Sequence, residues 1–229
     1  MTSVPITSLP RLLQLCSTML PVGAFSYSQG LESAIEARFV HDADSAMVWI
    51  EDVLDVSLVT FEAPLMLRMH QAWLLFDNDM ALYWNEYFIA SRETAELRAE
   101  SLQMGYSLVR LLEQMEDIPA EQLAALKQQA EVSFPCAFAL AASAWGIPPD
   151  AAVYAYLWSW LENQVSAAMK TVPLGQVAGQ RILAGLGKKL PHLVKKSILL
   201  EDSELSNFSP MLAIVSSQHE TQYSRLFRS

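Results

Sequence analysis

The stretch from Arg92 to Met115 constrains the fold more than any other part of the chain. Leu97, Ser101, Met104, Leu108, Leu111 and Met115 recur at steps of four and three, the spacing of one helix face. Leu102, Tyr106 and Val109 form a second stripe. A helix with two such stripes needs neighbours on two sides, so it belongs inside a bundle.

Helical periodicity recurs in the other long segments. Leu9, Leu12, Leu13, Cys16, Met19 and Leu20 follow Ser8, a plausible N-cap. A second helix is expected over 29–38. A third begins near Asp44 and carries Met47, Ile50, Leu54, Leu58 and Phe61 up to Pro64, which starts or kinks the next element. Asp77-Asn78-Asp79 turns the chain into an aromatic helix through Tyr83, Trp84, Tyr87 and Phe88. Further helices are expected around 121–131, over 134–145, from Asp150 to about Lys170, and in one piece on to Lys196. Residues 201–210 read as a polar loop followed by a short apolar stretch over 211–215. The predicted fold is all-α: a single-domain multi-helix bundle of about ten helices over residues 1–229, with 1–8 and 217–229 as flexible tails.

Cys16 and Cys136 lie on apolar helix faces and read as buried free thiols. The uncharged run from Val132 to Pro149 is broken by Pro135, Gly146 and the Pro148-Pro149 pair, so it reads as a buried helix and a turn rather than a membrane span. Met1-Thr2-Ser3-Val4-Pro5 does not open a secretory signal, and a cytoplasmic location is expected. The net charge of −10 disfavours nucleic acid. Residues 163–200 nevertheless hold six basic side chains and no acidic one, either a solvated face or a dock for an acidic protein.

Catalytic patterns are missing. The histidines at 41, 70, 192 and 219 are scattered, His219-Glu220 reads as a solvated pair, and the glycines match no phosphate-binding spacing. Glu51, Asp52 and Asp55 read as a solvated acidic face. This argues for an interaction module without a stable cofactor, against two alternatives: an all-α enzyme with an aromatic cavity, or an unrelated helical adaptor.

The segment Leu20-Pro21-Val22-Gly23-Ala24-Phe25-Ser26-Tyr27-Ser28-Gln29-Gly30-Leu31-Glu32 carries more polar groups than a helix corner needs. Pro21 and Gly23 end one helix, Ser28 caps the next through Glu32, and Ser26, Tyr27 and Gln29 are expected on display. This corner resembles the signature of the urease accessory protein F (UreF) family. The likeness extends to Leu12-Leu13-Gln14-Leu15, to Met169-Lys170-Thr171-Val172-Pro173-Leu174-Gly175-Gln176, and to His219-Glu220-Thr221-Gln222-Tyr223-Ser224-Arg225-Leu226-Phe227. Ala24 departs from the glycine often found beside Gly23.

The resemblance implies a dimerising all-α scaffold or regulator, not an enzyme. It implies joining a UreG-like GTPase and a UreD/UreH-like accessory protein to deliver nickel to apo-urease, with nickel in transit rather than held by this chain. It also implies that Ser26, Tyr27, Gln29, Lys170, Pro173, Gln176, His219, Glu220, Tyr223, Arg225, Leu226 and Phe227 contribute to partner binding. Among these, Tyr27 and Arg225 would order the tail, and the corner would be its dock.

Overall fold

The computed structural model describes residues 4–229 and contains no strand among them. Met1 to Ser3, part of the expected 1–8 tail, lie outside the described residues. The helices, in order, are α1 (Leu9–Cys16), α2 (Leu31–Glu36), α3 (Ala43–Val53), α4 (Ala63–Leu74), α5 (Asn78–Ala90), α6 (Ala95–Leu112), α7 (Ala120–Lys127), α8 (Phe134–Ala144), α9 (Pro149–Thr171), α10 (Gln176–Gly187), α11 (Leu190–Leu199) and α12 (Pro210–His219). A π-helical stretch, Leu54–Glu62, joins α3 to α4, and Pro64 falls at the join, where the Thr60 carbonyl four residues back accepts from the Ser206 N–H at 3.1 Å instead.

The centre of the bundle is α8. Cys136 to Ala142 are wholly buried, and the alanines let α4 and α6 approach closely on either side. On α6, Leu97, Met104, Leu108 and Leu112 face inward, while Tyr106 is exposed. Of the second stripe, Val109 is buried and Leu102 packs partly against the core, while α8 and, less extensively, α12 lie against α6. Gly105 explains the closeness: a Cβ there would stand 2.1 Å from the Val132 carbonyl oxygen. Asn85 fixes the same approach, donating to the Glu131 carbonyl at 3.0 Å and accepting from the Ser133 N–H and hydroxyl at 2.9 and 2.8 Å.

The long α9 packs against α1, α4, α10 and α11. Two expectations near it are corrected. The helix expected to run to Lys196 is two helices, because the turn at Lys188 and Lys189 lets Pro191 open α11 in its first turn. The stretch expected as loop and short apolar segment contains α12, started by Pro210 in the same way. The expected 29–38 helix is only α2, since Gln29 and Gly30 have φ of 52° and 78° and Arg38 a φ of 63°. No helix among the described residues is long and apolar enough to cross a membrane.

One charged pair is buried in the core. Arg92 donates to Glu62 at 2.6 Å, Tyr156 donates to the other Glu62 oxygen at 2.8 Å, and the guanidinium lies 4.3 Å from the centre of the Phe88 ring.

Candidate functional site

The corner between α1 and α2 is where the last residues of the sequence are seated. Gly23 turns the backbone with φ of 77°, Ala24–Ser26 makes one tight 3-10 turn, and Tyr27 extends toward Gln29. Gln29 holds a left-handed conformation unusual for its type, and two side-chain bonds keep it there. Trp160 donates to its carbonyl at 2.6 Å, and its amide donates to Glu100 at 2.7 Å. Gly30 lets α12 close on the corner, with Val215 only 2.9 Å from where a Cβ would sit.

Against this corner lies the segment expected as a flexible tail. Residues 217–219 end α12, and 220–229 fold back over α2, α6 and α9. Arg228 N–H donates to the Ser26 carbonyl at 2.8 Å, while the Ser28 N–H and hydroxyl both donate to the Ser229 main-chain oxygen, at 2.8 and 2.6 Å. Ser28 also accepts from the Glu32 N–H at 3.3 Å, but the N-cap position of α2 is Gly30 rather than the expected Ser28, because Gly30 takes the left-handed turn into the helix. Ser229 hydroxyl donates to Glu100 at 2.9 Å. Backbone bonds, rather than side-chain anchors alone, hold this segment.

Glu32 and Glu96 organise the rest. Glu32 accepts the N–H groups of Leu226 and Phe227 at 2.7 and 2.9 Å. His219, with no exposed surface, meets Glu96 through Nδ1 at 2.8 Å and Glu32 through Nε2 at 3.2 Å. Arg225 donates to Glu96 at 2.9 Å, to the Gln222 carbonyl at 3.1 Å and to the Glu220 carbonyl at 2.9 Å. The expectation of a solvated His219-Glu220 pair is thus corrected: Glu220 is exposed, but His219 is sealed in by α2, α6 and the tail.

The remaining candidate residues divide. Tyr27 and Gln29, expected on display, turn inward; Tyr27 is 5% exposed. Burial pushes its phenol above the ordinary value, and Arg228 beside it pulls the other way. Phe227 is 5% exposed, whereas Leu226 is mostly exposed and Tyr223 is 105% exposed. Lys170 stands over the rings of Phe227 and Phe25, 5.5 and 5.9 Å from their centres. Ser26 contributes its carbonyl and is half-buried, and Pro173 and Gln176 are exposed where α9 turns into α10. Glu32, Glu96 and Glu100 belong to the site although the sequence did not single them out for it.

Beneath the corner is a cavity of about 190 Å³ lined in part by Gln29, Glu62, Arg92, Glu100, Tyr156 and Trp160. Burial raises the Glu100 carboxyl to about 7, against the opposing bonds from Gln29 and Ser229. Trp160 is the tryptophan in the cavity lining. Burial raises the Cys16 and Cys136 thiols to about 11 and about 12, and both are free. Among the described residues no three His, Cys, Asp or Glu side chains converge as metal ligands.

Fold and site together define an all-helical protein that folds its own 220–229 segment onto a conformationally strained helix corner. The UreF family model matches residues 40–187, and curated relatives match almost the whole chain. The urease accessory protein UreF of Methylobacillus flagellatus is 54% identical over 97% of this chain and 98% of its own. That of an Azoarcus species is 56% identical over 96% and 94%. The bifunctional urease accessory protein UreEF of Bordetella bronchiseptica is 46% identical over 99% of this chain and 53% of its own. The chain belongs to the UreF family of urease accessory proteins.

Proposed function

We propose that this chain is a non-enzymatic scaffold that recruits a UreG-like GTPase and a UreD/UreH-like accessory protein, so that nickel reaches apo-urease through the assembled complex. It works in the cytoplasm as a homodimer, and nickel is cargo rather than a resident ligand. The observation that carries the reading is the seated tail. By packing Phe227 and ordering its own backbone, the segment leaves Tyr223 and Leu226 exposed, while Lys170 stands over Phe227 and the exposed Phe25, so apolar and cationic groups are presented in preformed positions. Preorganisation of this kind lowers the entropy lost when a partner docks. The relative that joins a UreF-like part to a longer bifunctional accessory protein fits a chain that acts beside other accessory proteins.

An alternative mechanism would insert Arg225 at the nucleotide in trans, as GTPase activators do. The scaffold is favoured because Nε and both terminal nitrogens of Arg225 are already engaged within the seat. Co-expression of Arg225→Ala with the two accessory proteins tests this. Loss of the complex on size exclusion supports the scaffold; an intact complex with slow GTP hydrolysis supports insertion.

A further inference from the structure

We propose that the tail seat is a proton-dependent latch, closed while His219 is an imidazolium and opened when it loses a proton. This rests on the recruiting role of the seated tail and adds its regulation.

A neutral imidazole has one N–H donor and one acceptor lone pair, whereas the imidazolium has two donors. Both ring nitrogens of His219 face carboxylate oxygens, at 2.8 and 3.2 Å, and a carboxylate can only accept. The geometry is satisfied by the imidazolium alone. In either neutral tautomer one lone pair would be pressed against a carboxylate, in a site with no exposed ring surface to admit water.

Charge balance gives the same answer. The groups around His219 are Glu32 from α2, Glu96 from α6 and Arg225 from the tail, reaching Glu96 from the far side. Two anions and two cations then share the seat. Deprotonation leaves one anion in excess, beside two backbone N–H groups, those of Leu226 and Phe227, that only Glu32 holds. Further groups nearby are Glu100, tied to Gln29 and Ser229 one turn along α6, and Lys170 of α9 over Phe227. Glu100 works on balance in the same sense, because burial raises its carboxyl to about 7 although the bonds from Gln29 and Ser229 favour the ionised form, so it needs a control of its own.

Only the imidazolium donates to both carboxylates, so the seat's bonds are complete with the ring protonated, at lower pH, and incomplete with the ring neutral, at higher pH. Opening frees the backbone groups of Ser26 and Ser28 and the two carboxylates of the cradle.

Two measurements on the full-length protein test the latch. The first is the ring nitrogen spectrum of His219 together with hydrogen exchange of residues 226–229, at about pH 6 and about pH 8.5 and corrected for intrinsic exchange. Both nitrogens should carry protons wherever the tail is protected, and protection should fall roughly tenfold or more as they lose one, the scale of a charge-assisted bond. A neutral ring under a protected tail would overturn the proposal. The second uses Glu100→Gln, which should keep this pH dependence; its disappearance would assign the effect to Glu100 and overturn the latch. Should protection track the ring proton while partners bind equally in both states, the latch stands and the recruiting role fails. Should partners require the seated tail while protection ignores pH, the recruiting role stands and the latch fails.

Discussion

Ser28 and Ser229 are 201 residues apart in sequence, yet the N–H and hydroxyl of the first converge on one oxygen of the second. The Ser28 hydroxyl also accepts from the Glu32 N–H in the first turn of α2, so one hydroxyl ties that turn to the tail. One side chain thereby couples local folding to the seating of the tail.

Glu32 supplies the acceptors for two successive tail amides. Glu32→Ala should therefore release residues 226–229 while leaving the bundle folded. Hydrogen exchange should show protection there reduced roughly tenfold or more, with α8 unchanged. Unaltered protection in the tail would show that other contacts hold it.

Glu100 makes stability depend on pH in a defined direction. Its carboxyl rises from 4.5 to about 7 in the folded protein, so between those values the native state binds more proton than the unfolded chain. Stability attributable to this group falls as pH rises across that window, by on the order of 3 kcal/mol at most. Glu100→Gln should flatten the dependence of Tm on pH between about 4.5 and about 7, as thermal denaturation at several pH values would register.

Arg92 is buried with Glu62, and truncating one partner strands the other's charge. Arg92→Met should cost about 3–5 kcal/mol in chemical denaturation, while the double substitution with Glu62→Leu should recover much of that loss. A single substitution that costs nothing would show that Tyr156 alone suffices to stabilise Glu62.

Gly105→Ala should destabilise by about 1–3 kcal/mol, because the Val132 carbonyl is main chain and moves only with α8. Gly175→Ala has no atom within 4 Å of the new Cβ and should change stability by less than about 0.5 kcal/mol. Comparing the two by denaturant midpoint separates close packing from backbone entropy.

Much of the helical order was legible, because Leu97 to Leu108, Met47 to Phe61 and Val153 to Val165 repeat at one helical period. Breaks made by proline were harder to read. Pro191 and Pro210 open helices here, but a proline after polar residues resembles the end of one. The corner was recognisable from its glycines and hydroxyls, and the tail from its motif. What joins them was not. His219 finds its carboxylates 187 and 123 residues away, and no local spacing encodes a pairing of that range. Tyr27 and Gln29 were placed at the site but turned the wrong way, since polar type alone does not reveal that Trp160 and Glu100 wait beneath Gln29.

The central claim is that the seated 220–229 segment forms the recruiting surface. Size-exclusion chromatography after co-expression with a UreG-like GTPase and a UreD/UreH-like accessory protein tests it most directly, comparing the full chain, the chain lacking 220–229, and the Tyr223→Ala/Leu226→Ala double variant. The account predicts one complex for the full chain, none for the truncation, and weakened assembly for the double variant with its tail still protected. A stable three-component complex formed by the truncated chain would contradict it.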